Sequence, residues 1–221
     1  MPKVNRPKTA VASCSSAPPP TRKGALRRQA LLQAARDVFM EQGYAAASID
    51  QVVERVGGSK ASVYQYFGSK EGLFGEMIAA QCEEFLKSIA YPTAVEGDIE
   101  QTLLKLARRA TDLFLRPERI ALHRAVIAEA ARFPELAQRF YEAGPKRGLA
   151  QLGAFLKSQH EAGVLDCPNP ELAAIHLMDL VRAFPIFRSL LGLTPMPSGQ
   201  ELDGFIQDAV HTFLYGCLRR R

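Results

Sequence analysis

The sequence lacks the features that mark membrane and secreted proteins. No apolar run approaches the roughly 20 residues that a bilayer-spanning helix needs, and no apolar segment follows the basic residues near the N-terminus. We therefore expect neither a membrane span nor a signal peptide. Cysteine is scarce, and its four residues, at positions 14, 82, 167 and 217, show no CxxC spacing. They are interpreted as reduced thiols of a cytoplasmic protein.

Motifs of catalysis and of metal binding are also missing. The sequence contains no HExxH, GxSxG, glycine-rich phosphate loop or metal-ligand spacing. We therefore predict no catalytic residues, no cofactor and no metal site. The alternative interpretation is a helical enzyme, whose candidate residues would be His123, His160, His176 and Cys167.

The charge is unevenly distributed along the chain. Residues 1–75 contain 11 Lys and Arg against 5 Asp and Glu, a net charge of +6, whereas residues 76–221 contain 17 against 18. A basic segment of this kind suits the neutralisation of phosphates. The distribution indicates a nucleic-acid partner for the N-terminal part.

The stretch from Ser48 to Glu71 has the pattern of two short helices around a glycine turn. Ser48 and Gln51 have the spacing of a capping box, and the apolar residues that follow recur at helical spacing. Gly57 and Gly58 end this helix, because glycine enters the left-handed conformation without a clash. A second helix follows from Ser59. The pattern predicts a helix-turn-helix whose second helix enters a DNA major groove.

The segment Arg28 to Phe74 resembles the DNA-binding domain of the TetR/AcrR transcriptional regulators. The most specific match is the run Tyr-x-Tyr-Phe-x-Ser-Lys-Glu at 64–71. Gly58 departs from the family pattern, in which a small apolar residue is usual, and this predicts a less rigid turn. A second resemblance, to the C-terminal domain of AefR-type members, begins at Arg124 and includes residues 128–136. It implies an all-helical domain for ligand binding and dimerisation.

The helical pattern predicts an all-α fold in three parts. Residues 1–22 are expected to form a disordered basic and proline-rich arm, residues 23–72 a three-helix helix-turn-helix DNA-binding domain, and residues 73–221 a helical ligand-binding and dimerisation bundle. One helix should begin at Ser69 and continue past Leu86, and Pro185 should kink the helix at 171–191. The helices at 171–191 and 200–218 are more apolar than a surface helix needs, which predicts a homodimer with a four-helix interface.

The family resemblance implies two kinds of DNA contact, one to phosphates and one to bases. Phosphates are expected to be bound by Ser48, Tyr64, Tyr66 and Lys70. Base edges are expected to be read by Ser59, Lys60, Ser62 and Gln65, because lysine donates to guanine and glutamine pairs with adenine. Two of these residues have a structural alternative, Ser59 as a helix cap and Tyr64 as a core residue.

Polar, aromatic or large apolar side chains in the C-terminal helices are the candidates for an effector site. A pocket between the helices of a bundle is an ordinary site for a small apolar or aromatic effector. The candidates are Phe114, His123, Ile127, Phe155, Gln159, Met178 and Arg182. His176, Asp179 and Arg182 are spaced three apart, so pairing at the dimer seam is a second interpretation of these three.

Taken together, the sequence predicts a cytoplasmic, sequence-specific DNA-binding transcriptional regulator. The form expected is a homodimeric repressor that a small-molecule effector releases from a palindromic operator. The alternatives are an activator of the same family, a helical enzyme, and an adaptor that binds proteins without DNA. No pattern in the sequence identifies the operator, the effector or the regulated genes.

Overall fold

The computed structural model describes residues 22–89, 91–92, 95, 98–193 and 199–217. All regular secondary structure in these residues is helical, which confirms the predicted all-α fold. The arm predicted for residues 1–22 lies outside the described residues, except for Arg22. Ten helices follow one another in the described part: α1 Arg22–Ala46, α2 Ile49–Val56, α3 Lys60–Phe67, α4 Lys70–Ser88, α5 Ile99–Phe114, α6 Pro117–Glu129, α7 Pro134–Ala143, α8 Pro145–Glu161, α9 Pro170–Leu190 and α10 Gly199–Tyr215.

The ends of the first four helices follow from local chemistry. The capping box predicted at the start of α2 is present: the Gln51 amide donates to Ser48 Oγ at 3.3 Å, and the Ser48 amide donates to Gln51 Oε1 at 2.8 Å. Ser69 caps α4 by accepting from the Gly72 amide at 3.0 Å. Gly43 has a φ of 77° and interrupts α1 before one further turn that ends at Ala46.

Prolines set the boundaries of the later helices. Gly144 separates α7 from α8, which begins at Pro145. Pro134, Pro145 and Pro170 each occupy the first helical position, where a missing N–H costs nothing. Pro185, in contrast, lies inside α9, which continues to Leu190. The last helix ends at Tyr215, three residues before the predicted end at 218, because Gly216 has a positive φ of 68°.

The buried residues form two large clusters and a smaller one, and α4 contributes to the first cluster and to the smaller one. The first cluster joins α1–α4 to Leu122 and Val126 of α6 and to Leu136 of α7. The second is built from α5, α8, α9 and α10, and a smaller third cluster contains Phe85 and Ile89. The three-helix unit thus packs directly against the C-terminal helices.

Helix α4 contributes to both folded parts of the chain, as predicted. Its first half places Phe74 and Ile78 in the first cluster, and its second half places Phe85 and Leu86 in the third. A displacement of α4 would therefore be felt in both parts. Among the described helices, none is long and apolar enough to cross a bilayer.

Candidate DNA interface and ligand cavity

Helix α3 has a buried side and an exposed side. Val63 and Phe67 face the core, where Val63 is fully buried and Phe67 is 8% exposed. On the other side Tyr64, Gln65 and Tyr66 are exposed, with 51% of Tyr64 and 36% of Tyr66 accessible. The exposed side therefore offers two aromatic hydroxyls and an amide to a ligand that approaches from solvent.

The N-terminal turn of α3 carries three more predicted DNA contacts. Ser59 begins the helix without a side-chain capping bond, and its Oγ lies 3.4 Å from that of Ser62, which is half-buried. The exposed Lys60 ammonium lies 2.8 Å from Asp50 Oδ1 of α2, and this hydrogen bond raises the pKa of Lys60. Exposed ion pairs are weak in water and exchange readily. The lysine is thus available to another anion.

The remaining two predicted phosphate contacts are engaged in the described structure. Ser48 Oγ caps α2, as described above. Lys70 is half-buried, its ammonium donates to the Ala45 carbonyl at 3.2 Å, and it lies 4.6 Å from the centroid of the Tyr44 ring. Burial lowers the pKa of Lys70. The ammonium therefore lies beside the end of α1, at the start of α4.

The turn between α2 and α3 is held by a side chain that sequence reasoning missed. Arg27 of α1 donates to the Val56 carbonyl at 3.0 Å and also to the Gly57 carbonyl. These carbonyls are at the C-terminal end of α2, where a cation satisfies free acceptors and the negative end of the helix dipole. A Cβ added to Gly58 would meet the tip of the Arg27 guanidinium, which would have to shift.

A cavity lies between α4 and the helices α5–α9. It holds about 60 Å³ of free space, enough for a few water molecules. Its wall is mostly apolar and includes the rings of Phe85, Phe114 and Phe140. Four of the seven predicted ligand residues line it, namely Phe114, His123, Met178 and Arg182.

The other three predicted ligand residues do not line this cavity. Ile127 is 60% exposed on α6, Phe155 is buried in the second cluster, and the buried Gln159 donates to Ser158 Oγ at 3.0 Å. His176 is exposed on α9, and Asp179 lies 3.6 Å from the Arg182 guanidinium. Helical spacing predicts which face of each helix is apolar, but it does not predict which other helix packs against that face.

The cavity has a polar group that sequence reasoning missed, Arg119. Its guanidinium lies 5.0 Å from the centroid of the Phe85 ring, and burial lowers its pKa. Its backbone carbonyl is 2.8 Å from His123 Nδ1, so this nitrogen must carry the proton and donate. Burial lowers the pKa of His123, and the charges of Arg182 and Arg119 lower it further. At neutral pH the imidazole is therefore in its neutral form, and both guanidinium groups are close enough to act on its charge.

The described residues hold no group of three His, Cys, Asp or Glu side chains that could bind a metal ion. The cavity thiol of Cys82 is buried, and burial raises its pKa to about 11. At neutral pH it is a protonated, apolar part of the wall.

One face of α9 exposes a continuous apolar stripe. Its members recur every three to five residues and are between 38% and 61% exposed: Leu172, Ile175, Leu180, Phe184, Phe187 and Leu191. The Phe184 ring lies 5.9 Å from that of Phe205, so the stripe continues onto α10. Contiguous exposed apolar patches are typical of surfaces that take part in protein–protein contacts.

Two family profiles match the chain. The profile described as bacterial regulatory proteins of the tetR family matches residues 31–77, and the profile of the C-terminal domain of AefR-like transcriptional repressors matches residues 101–216. The first includes the predicted helix-turn-helix, and the second includes most of the cavity wall and the apolar stripe.

Solved structures share the fold. A TetR-family transcriptional regulator from Mesorhizobium loti superposes with a TM-score of 0.81 at 30% identity, over 88% of this chain and 97% of that one. The flavonoid-responsive regulator FrrA superposes with a TM-score of 0.77 at 32% identity, over 89% of this chain and 100% of that one.

The curated relatives include both repressors and activators of transcription. The repressor Rv3405c of Mycobacterium tuberculosis is 29% identical over 189 residues, which are 84% of this chain and 87% of the relative. The activator FasR of Mycolicibacterium smegmatis is 34% identical over 77 residues. That match spans 35% of this chain and 35% of FasR, so the chain covers about a third of that relative.

Proposed function

Because the chain belongs to the TetR family, whose members are DNA-binding transcriptional regulators rather than enzymes, we propose that it is a homodimeric repressor released from a palindromic operator by a small-molecule effector. It would act in the cytoplasm, where the operator is. The observation that carries the proposal is the two-sided α3, with Val63 and Phe67 buried and Tyr64, Gln65 and Tyr66 exposed. A recognition helix needs this division, since one side must be anchored while the other enters a groove.

The proposed DNA contacts are those expected from the sequence. Tyr64, Tyr66, Lys70 and Ser48 would contact phosphates, the last through the N-terminus of α2. Ser59, Lys60, Ser62 and Gln65 would face the bases. On binding, Lys60 would release its exposed ion pair with Asp50 and contact the DNA instead.

The proposed dimer is formed by α9 and α10. The apolar stripe on α9 has no covering element within the described residues, and a twofold axis through it would pair the stripe with its own copy. Two copies of α3 would then meet the two half-sites of a palindrome, one or more helical turns apart.

The proposed effector site is the cavity beside α4. With about 60 Å³ of free space, the cavity is smaller than the several hundred Å³ of a typical ligand site, so an aromatic effector must push its wall outward. The wall includes Cys82 and Phe85 of α4, whose first half packs in the core beneath α3. An effector that binds only the displaced α4 would change the spacing of the two α3 helices, which requires a differential affinity of a few kcal/mol. The response of FrrA to flavonoids supports an aromatic effector.

An activator of the same family is the second candidate, since the relative FasR is named as one. A reporter gene behind the operator separates the two: deleting the regulator raises expression for a repressor and lowers it for an activator. A protein-binding adaptor would bind no DNA at all.

The test is DNA binding by the purified protein, measured by fluorescence anisotropy on the region upstream of its own gene at several salt concentrations. Lys70→Ala is expected to weaken binding to all sequences alike and to reduce the salt slope by about one unit. Lys157→Ala, on the exposed side of α8, is the matched control and should leave the slope unchanged. Absence of any saturable, salt-dependent binding would refute the proposed function, and an unchanged slope for Lys70→Ala would refute the role of that lysine alone.

A further inference from the structure

The polar groups of the cavity are all cationic or neutral. Its wall contains two guanidinium groups, from Arg119 and Arg182, and the neutral imidazole of His123. None of the described residues that line it is an aspartate or a glutamate. The remaining titratable members, Cys82 and Tyr91, are protonated at neutral pH, since burial raises their pKa values to about 11 and about 12. The cavity therefore has a net positive charge.

The two guanidinium groups are only weakly compensated. Among the described residues Arg119 has no carboxylate within ion-pair distance; its guanidinium lies over the Phe85 ring, and the more distant Glu84 and Glu118 offset its charge only in part. Arg182 lies over the Phe114 ring at 5.6 Å and has the exposed Asp179 at 3.6 Å, a separation longer than that of a charge-assisted hydrogen bond. Cations withdrawn from water need an anion or several hydrogen bonds to offset their lost hydration. An anion between them would supply both.

The shape of guanidinium selects the kind of anion. Its planar fork of N–H donors matches a carboxylate in a bidentate arrangement, which a lysine would not provide. Both arginines lie beside aromatic rings, so the part of the ligand that follows the carboxylate would meet an apolar wall. His123 contributes a further selection: its Nδ1–H is used by the Arg119 carbonyl, which leaves Nε2 as an acceptor for a ligand hydroxyl.

We propose that the effector of this cavity is an apolar carboxylic acid, bound as its carboxylate by Arg119 and Arg182 with its body against the aromatic wall. This inference rests on the effector-binding role proposed above. A ligand hydroxyl, where present, donates to His123 Nε2.

The experiment compares acids with their uncharged amides. Isothermal titration of the full chain at neutral pH uses three matched pairs of different body shape: benzoic acid and benzamide, 2-naphthoic acid and 2-naphthamide, octanoic acid and octanamide. At least one acid is expected to bind about tenfold or more tightly than its amide, since charge-assisted hydrogen bonds are roughly twice as strong as neutral ones. If no acid of the three binds more tightly than its amide, the proposal is wrong.

Variants locate the preference. Arg119→Met and Arg182→Met should each abolish most of the acid preference, and Arg119→Lys should restore part of it, because it returns the charge without the fork. Arg116→Met is the matched control, since Arg116 is exposed at the same end of α6 and does not line the cavity. An acid preference that survives Arg119→Met and Arg182→Met would refute the assignment. Circular dichroism establishes that each variant is folded.

The outcome is independent of operator binding. DNA binding by the same proteins is measured without acid. If the unmodified chain binds no DNA, the proposed function is refuted, but the comparison of acids with amides remains valid. Conversely, if the chain binds its operator but prefers no acid over its amide, the proposed regulatory function stands and the proposal of a carboxylate effector is wrong.

Discussion

Replacing Gly58 with alanine is expected to destabilise the protein by about 2–4 kcal/mol, through two separate effects. Gly58 has a φ of 124°, which an L-residue with a side chain adopts only with strain. In addition, the new methyl group would meet Arg27 Nη2, so the tip of the arginine must shift, and we expect its bonds to the end of α2 to be lost. The strain costs about 1–3 kcal/mol, and the two lost hydrogen bonds cost about 1 kcal/mol together at this exposed position.

A double-mutant cycle separates these effects. Arg27→Met alone should cost about 1 kcal/mol, because it removes the bonds to the Val56 and Gly57 carbonyls. In the G58A background the same change should cost almost nothing, since the arginine has already been displaced. The predicted interaction energy between the two substitutions is therefore about 1 kcal/mol, and it measures the coupling between Arg27 and Gly58.

The measurement is urea unfolding followed by circular dichroism, with protein concentration held constant because a dimer's stability depends on it. Arg55→Met, which removes an exposed ion pair between α2 and Glu41 of α1, is the control. Its cost should be the same with and without Gly58. If Arg27→Met and G58A are additive within about 0.3–0.5 kcal/mol, the arginine does not hold the turn and the reasoning fails.

Three further predictions concern the interface, the dimer and the cavity. Asp50→Asn should tighten DNA binding several-fold in an anisotropy titration, because it frees Lys60 and removes a negative charge beside the bases. Phe187→Asp should convert the dimer to a monomer in light scattering, since Phe187 is 61% exposed in the single chain and a carboxylate cannot be buried across the axis. Iodoacetamide at pH 8 should modify the exposed Cys217 about a hundredfold or more faster than Cys82, whose pKa burial raises to about 11.

Each of these predictions has a control and a contradicting result. For the first prediction, Glu83→Gln is the control: it neutralises an exposed acid on α4, outside the proposed interface, and should leave DNA affinity unchanged. Weaker DNA binding by Asp50→Asn would contradict the proposed role of the Lys60–Asp50 ion pair. Tyr141→Asp changes an exposed aromatic away from α9 and should remain dimeric, whereas a dimeric Phe187→Asp variant would move the interface elsewhere. Mass spectrometry of cysteine labelling in urea gives the unprotected rate, and equal rates for Cys82 and Cys217 in the native protein would show an open cavity.

Features that depend on neighbouring residues could be predicted from the sequence alone. The capping box at Ser48, the glycine turns and the proline-led starts of α7, α8 and α9 each involve residues within a few positions of one another. The all-α fold followed from the same local patterns, and the family resemblance was carried by a continuous run of residues. The long α4 was also visible, because its apolar period continues without a break.

Contacts between distant residues were decided by the tertiary structure. Arg27 and Gly57 are 30 positions apart, and nothing in the spacing of either predicts that the side chain of one reaches the carbonyl of the other. Within α6 the sequence suggested His123 and Ile127 for the ligand site, whereas His123 and Arg119 line the cavity and Ile127 is exposed. Helical periodicity shows that a helix has an apolar face, but the neighbour that covers this face depends on how the described helices pack together. The sequence therefore determined which segments are helices, and only their packing decided which side chains meet.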